Sequence, residues 1–310
     1  MAHDRKFRFG VQARSAGPRD EWLEMIRRVE ASGYSTYVML DHFVRSLDPI
    51  AALGAAAMVT SSLRLGTMVI DNDFRHPVVL TKAMATLDVL SGGRLEIGIG
   101  AGWLREEYEQ SGIPFDAPGL RIERMIETVR FMRQAFVEDE ISFQGRFVQT
   151  KRLTLPPKPV QQPSPPIVIG GGGKRMLSVA ARHADIVGFT SQAQPDGSKR
   201  VSEMSGESML QKVGWVREAA GARFADLELT AFLSEMIVSG DRDDAADAIA
   251  ARQSMTREDV LSSPYYLIGS ADEMVEQMFE RRERFGLSYY VVEESKIEVF
   301  APLVEKMTGK

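Results

Sequence analysis

The chain has 310 residues, 44% of them hydrophobic and 26% charged, with a formal net charge of −5 and no cysteine. The composition is that of a globular protein, and the acidic balance without a basic stripe argues against a nucleic-acid partner. The lack of cysteine excludes disulfides, thiolate metal sites and cysteine nucleophiles. No apolar run approaches the roughly 18 residues of a spanning helix, and MAHDRKFRFG has no signal-peptide core, so a cytoplasmic protein with no membrane partner is expected.

Short apolar runs alternate with helical patterns along the chain. FRFGVQA (7–13) reads as a strand, and 19–32 as a helix with Trp22, Leu23, Ile26 and Val29 at helical spacing and Gly33 past its end. YSTYVMLD (34–41) is the next strand. DPIAALGAAAMVTS (48–61) opens a helix with Asp48 at the cap and Pro49 in the first turn. RLGTMVID (64–71) is a strand, PVVLTKAMATLDVLSGG (77–93) a helix stopped by two glycines, and RLEIGIG (94–100) a strand. In 120–136, Ile122, Met125, Ile126, Val129, Met132 and Phe136 share one helical face.

Segment 141–165, rich in Phe, Thr and Pro, breaks the rhythm as an excursion of hairpin type. IVIGGGG (167–173) resumes as a strand before a helix to His183, and ADIVGF (184–189) is another. The polar stretch 190–208 is long for a connection, as lids or mobile segments are. A helix around 206–220, a strand LELTAFLSEMIV (227–238), helical stretches to 285, a strand SYYVVE (288–293) and a helix over 296–307 complete the count. Nearly eight strand–helix units of apolar strands fit a single-domain (β/α)8 barrel of TIM type with inserted segments over residues 1–310, with a doubly wound open sheet as the runner-up.

Ligands of a parallel barrel bind beyond the C-terminal strand ends. Gln12, Asp41 and His42, the Ile70-Asp71-Asn72 turn, the Gly100-Ala101-Gly102-Trp103 turn and the run Gly170 to Gly173 all fall at such ends. For His42 the plain alternative is a capping or loop histidine. GIGAGW (98–103) misses the dinucleotide fingerprint and GGGGK (170–174) misses the phosphate-loop pattern. Glycine-bared N–H groups at a helix start nevertheless suit an anion, with Lys174 and Arg175 adding charge; the alternative is a tight turn. His3, His76 and His183 are scattered. No metal spacing or G-x-S-x-G motif appears, and the methionines read as packing.

The run RHPVVLTKAMATLDVLSGGRLEIGIGAGW (75–103), with the DHF at 41–43 and the IGGGG at 169–173, resembles the luciferase-like flavin and deazaflavin oxidoreductases. DHF and GAGWLREEY are more similar to the coenzyme F420-dependent branch than to the FMN-dependent luciferases. The resemblance implies a TIM-like barrel, usually a homodimer, with the cofactor ring in the barrel mouth. It implies that Asp41 and His42 lie beside the ring, that a cis peptide joins Met68 and Val69 behind it, and that Asp71 and the turn Gly100, Ala101, Gly102, Trp103 lie near it. It also implies that Gly171, Gly172 and Gly173 receive the cofactor phosphate. Two positions depart from the sugar-phosphate dehydrogenases of that branch. Ser46 stands where they carry a Trp, and Trp103 where they carry a proton-donating Glu, so glucose 6-phosphate is a poor substrate expectation.

The expected function is hydride transfer between F420 and a small organic substrate. His42 is then the catalytic acid or base, Asp41 orients the imidazole or bonds the cofactor, and Trp103 walls the pocket. The alternatives are an FMN-dependent monooxygenase on the same fold and a non-catalytic flavin or deazaflavin binding protein. A barrel hydrolase or aldolase ranks last.

Overall fold

The computed structural model describes residues 5–14, 17–44, 46–192 and 200–310. In chain order the elements are β1 (Arg8–Ala13), α1 (Arg19–Ala31), β2 (Thr36–Met39), α2 (Pro49–Ala57), β3 (Arg64–Thr67), β4 (Ile70–Asp71), α3 (Pro77–Leu90), β5 (Leu95–Gly100), α4 (Arg105–Ser111) and α5 (Pro118–Val137). They continue with β6 (Glu140–Gln144), β7 (Gln149–Thr154), β8 (Ile167–Gly171), α6 (Lys174–His183), β9 (Ile186–Phe189), α7 (Gly206–Ala220), β10 (Glu228–Phe232) and β11 (Glu235–Val238). The chain ends with α8 (Arg242–Gln253), α9 (Arg257–Ser262), β12 (Tyr266–Gly269), α10 (Ala271–Phe285), β13 (Leu287–Glu293) and α11 (Ile297–Met307). Among the described residues no helix is long and apolar enough to cross a membrane.

The chain divides into two compact units. One holds residues 12–31 and 35–169. Its sheet sets β2, β3, β5 and the start of β8 side by side, all parallel, with Val38 opposite Gly66, Leu65 opposite Leu95 and Ile97 opposite Ile167. All four residues of β2 and all six of β5 are buried, as parallel strands covered on both faces require. Helix α2 starts where Asp48 accepts from the Ala51 amide at 2.9 Å, with Pro49 in the first turn, as expected. The excursion is an antiparallel hairpin, β6 with β7, whose Ile141 and Phe143 pack with Phe131 and Ala135 of α5 in a small core of their own.

The SGGR turn has a structural job in this unit. Gly92 and Gly93 both take positive φ, at 68° and 82°. They bring Arg94 beneath the end of α2, where its guanidinium donates to the carbonyls of Ser91, Leu63, Ala57 and Thr60 and to the Thr60 hydroxyl, at 2.6–3.1 Å. Asp88, fully buried, accepts from the Gln161 amide and side chain and from the Leu95 amide. The SGGR part of the 75–103 run therefore closes a turn between helix and strand, away from strand C-termini.

The other unit holds residues up to Val11, 32–34 and 170–310. Its sheet runs β1, β13, β10, β9. Leu229 lies opposite Val187 on one side and Thr230 opposite Tyr289 on the other. Helix α10 opens with a reciprocal capping box between Ser270 and Glu273 and closes on Gly286 at φ 78°. The single strand expected over 227–238 is two. After Phe232 the chain leaves the sheet, the Ser234 amide turns to the Tyr265 carbonyl at 2.9 Å, and β11 pairs in parallel with β12 in a separate ribbon. Strand β12 was unforeseen, because YLIG (266–269) is too short to show an alternation between helices. The strand expected over 64–71 is likewise interrupted between Thr67 and Ile70.

Candidate active site

His42 sits just past β2, and its partner comes from α4, a helix not foreseen in the sequence. Glu107 and Tyr108 are neighbours in that helix and both are buried. The Glu107 carboxylate receives His42 Nδ1 at 2.7 Å on one oxygen and the Phe43 backbone N–H at 2.9 Å on the other. A carboxylate on Nδ1 fixes the ring's orientation and tautomer and leaves Nε2 as the nitrogen free to exchange a proton. The imidazole stands edge-on to Trp103, with ring centroids 5.9 Å apart and planes at 88°. Trp103 is 46% exposed and so forms a rim beside the histidine. Phe43, also exposed, stacks on Phe74 at 4.4 Å.

Asp41 does not orient the imidazole, one of the two roles expected of it. It points away from His42 into a bidentate pair with Arg75, at 2.5 and 3.0 Å, and also accepts from the Asp71 amide at 3.0 Å. Arg75 reaches on to Asp48 at 2.8 Å. This explains the RHP triplet: Arg75 ties β2 to the turn after β4, His76 caps α3 by accepting from the Val78 amide, and Pro77 supplies the first helical residue. A planar guanidinium matches a carboxylate fork, which a lysine would not.

A second acidic cluster lies beside the first. The Tyr108 hydroxyl is 2.8 Å from both oxygens of Asp71, and Asp71 also accepts from the Asp73 amide at 3.0 Å. Burial pushes the Asp71 carboxyl up to about 6, the nearby charges of Asp73 and Asp41 add to that, and the bonds from the Asp73 amide and Tyr108 oppose it. Asp73 is also raised by burial, against the pull of Arg124, which pairs with it at 3.0 Å. Asp71 thus has its carboxylate committed inside the protein.

The Met68–Val69 peptide bond is cis, as the resemblance implies. The glycines that follow are dictated by close approach. A Cβ on Gly98 would fall 1.9 Å from the Thr67 carbonyl oxygen, and one on Gly100 2.7 Å from a Val69 methyl. Gly102 combines φ 73° with a Tyr108 hydroxyl 1.8 Å from where its Cβ would be, and its carbonyl accepts from Arg121 at 2.9 Å. Asn72 is buried, and its side-chain oxygen has no donor among the described residues.

The glycine run lies in the other unit, at the end of β8 and the start of α6. A Cβ on Gly172 would meet the backbone of Ser191 and Gln192 at 2.5–2.6 Å, and one on Gly173 the Gln192 side-chain amide at 2.3 Å. Gly173 caps α6 without any side-chain bond to its first turn. Lys174 pairs with Glu218 at 3.3 Å, both side chains being largely exposed. Residues 193–199 of the polar stretch, expected to be a lid or mobile segment, lie outside the described residues.

Among the described residues no group of His, Asp and Glu is arranged to hold a metal. Glu107, Tyr108, Arg75 and Arg121 were not singled out in the sequence. A signal existed for the first two, since REEYEQS puts Glu107 and Tyr108 in the first turn of a helix directly after the glycine turn.

The model of the luciferase-like monooxygenase family matches residues 6–285. An uncharacterised protein of Mycobacterium tuberculosis is 39% identical over 145 residues, 47% of this chain and 50% of that one. The FMNH2-dependent dimethylsulfone monooxygenase of Pseudomonas putida is 31% identical over 172 residues, covering 53% and 46%. The chain thus spans about half the length of these relatives. The F420-dependent glucose-6-phosphate dehydrogenase of Amycolatopsis mediterranei is 28% identical over 249 residues, covering 77% and 70%. The structure of the coenzyme F420-dependent tetrahydromethanopterin reductase from Methanopyrus kandleri superposes with a TM-score of 0.78 at 19% identity, covering 98% of this chain and 100% of that one. That likeness shows the fold, the TIM-type (β/α)8 barrel expected from the alternation.

Proposed function

This chain belongs to the luciferase-like monooxygenase family, and on that premise we propose that it is an oxidoreductase moving a hydride between coenzyme F420 and a small organic substrate. The observation that carries the reading is the buried Glu107 carboxylate on His42 Nδ1 at 2.7 Å. A loop or capping histidine needs no such partner, and a merely binding protein gains nothing from an imidazole poised through its second nitrogen.

The residues present fit a planar ring with an imide edge. Asn72 offers a buried carbonyl oxygen without a donor, and the turn Gly100, Ala101, Gly102 presents backbone rather than side chains. In this reading Met68, Val69 and the Gly100–Trp103 turn hold the ring, and Asp71, expected to contact it, instead braces the turn through Tyr108 and the Asp73 amide. Gly171, Gly172 and Gly173, at the start of α6, are the proposed anion site. F420 supplies the hydride chemistry when bound. The protein's own part is to exclude water with Trp103 and Phe43, and to keep His42 Nε2 ready to give a proton to a substrate oxygen or to take one. Glu107 keeps that nitrogen aimed. Asp41 serves at one remove, fixing the β4 turn through Arg75 and the Asp71 amide.

F420 is preferred to FMN because the relative named for F420 aligns over 77% of this chain, against 53% for the one named for FMNH2. The 31% identity to the latter keeps an FMN-dependent monooxygenase as the second reading.

Equilibrium titration of the purified protein with each cofactor decides between them. F420 is expected to bind at least tenfold more tightly. Tighter FMN binding, with oxygen consumed when FMN is reduced, reverses the choice. His42→Asn is expected to keep cofactor affinity and lose 10²–10⁴-fold in turnover. Unchanged turnover removes the histidine from the chemistry.

A further inference from the structure

Glu107 meets His42 from a helix of seven residues, and isolated helices that short do not hold themselves in water. Leu104, at the N-cap of α4, makes no side-chain bond to the first turn. The place of α4 is therefore set by what its side chains grip. Arg105 and Glu109 pair at 3.6 Å on the exposed face, which ties the helix only to itself. Glu107 and Tyr108, adjacent in sequence and about 100° apart around the helix axis, reach the ends of two different strands.

Tyr108 is wholly buried, and its hydroxyl donates to the Asp71 carboxylate, 2.8 Å from each oxygen, with Asp73 Oδ2 further off at 3.4 Å. Phe74 and Phe115 flank its ring, with centroids 5.3 and 4.8 Å away. The Gly102 backbone crosses close over this bond: a Cβ there would fall 1.8 Å from the hydroxyl and 2.6 Å from Asp71 Oδ2. Asp71 holds the residue after β2 as well, since its amide donates to Asp41 at 3.0 Å. The contacts close a ring. His42 follows Asp41 in the chain, Asp41 accepts from Asp71, Asp71 accepts from Tyr108, Tyr108 follows Glu107, and the Glu107 carboxylate holds His42 Nδ1 at 2.7 Å. In such a ring no member shifts without stretching another bond.

We propose that Asp71 and Tyr108 are positioning residues for the His42–Glu107 pair, their hydrogen bond holding α4 so that the Glu107 carboxylate stays on the imidazole. The assignment rests on the reading of His42 as the acid or base and adds the two residues that keep its tautomer fixed. Neither acts on the reacting atoms. A structural role alone would change stability and leave the imidazole as it is.

The experiment is nitrogen NMR of the full-length protein labelled at histidine, without cofactor or substrate, with His42→Asn identifying the signal. In the parent, His42 is expected as one tautomer, protonated on Nδ1, with slow exchange of that proton. Tyr108→Phe should mix the tautomers and speed the exchange about tenfold or more. Asp71→Ala cuts the same bond from the other side and serves should Tyr108→Phe not fold. Asp71→Asn, which keeps a partner for the hydroxyl, should stay near the parent. Arg94→Met, destabilising through the turn after α3, should leave the signal unchanged. A parent-like signal in both Tyr108→Phe and Asp71→Ala, a loss in Asp71→Asn as great as in Asp71→Ala, or an equal change in Arg94→Met overturns the proposal. Turnover separates the two claims: if His42→Asn proves as active as the parent while these spectra stand, only the acid–base reading falls.

Discussion

Asp71 lies 8% exposed among Asp41, Asp73 and Tyr108, with its carboxyl pushed up to about 6 from the usual 3.8. A group that binds its proton more tightly folded than unfolded stabilises the protein at low pH. That contribution is fully present below the unfolded value and is lost as pH rises through the folded one. A shift of about 2 pKa units corresponds to about 3 kcal/mol, lost between roughly pH 4 and pH 6. Asp71→Asn removes the titration and keeps an oxygen for the Tyr108 hydroxyl. Its stability relative to the parent should therefore improve by about 3 kcal/mol between pH 4 and pH 7, whatever the constant offset from the lost charge. Urea unfolding of both proteins across that range reads the difference directly, and groups common to the two cancel. A stability difference that stays level from pH 4 to pH 7 would refute the reasoning and place Asp71 among ordinary ionised carboxylates.

Two further outcomes follow from particular contacts. Glu107→Ala should lower turnover about as much as His42→Asn, and the double variant should lose little more than either, since the pair acts as one unit; steady-state rates at saturating F420 test this, and additive losses would separate the two residues. Arg94→Met strips the donors from the carbonyls of Ala57, Thr60, Leu63 and Ser91, and should cost roughly 3 kcal/mol in urea unfolding while leaving F420 affinity unchanged.

The placing of His42 and the glycine turns needed only local pattern. Alternation of apolar runs with helical spacing marks strand ends, and a strand end in a parallel barrel is a ligand face whatever the packing. Asp48 with Pro49, and the paired glycines at 92 and 93, carry their conformations in their own chemistry. The SGGR block was legible as a signature but not as a turn lock, because Arg94 acts on carbonyls some thirty residues earlier in the chain.

The tertiary structure decided which acid serves which base. Asp41 adjoins His42 in sequence, yet successive residues past a strand point apart, so Asp41 turns to Arg75 while Glu107 crosses 65 positions to reach the imidazole. The two meet because the Glu107 carboxylate of α4 reaches His42 and the Phe43 amide just past β2, and no spacing rule encodes that approach.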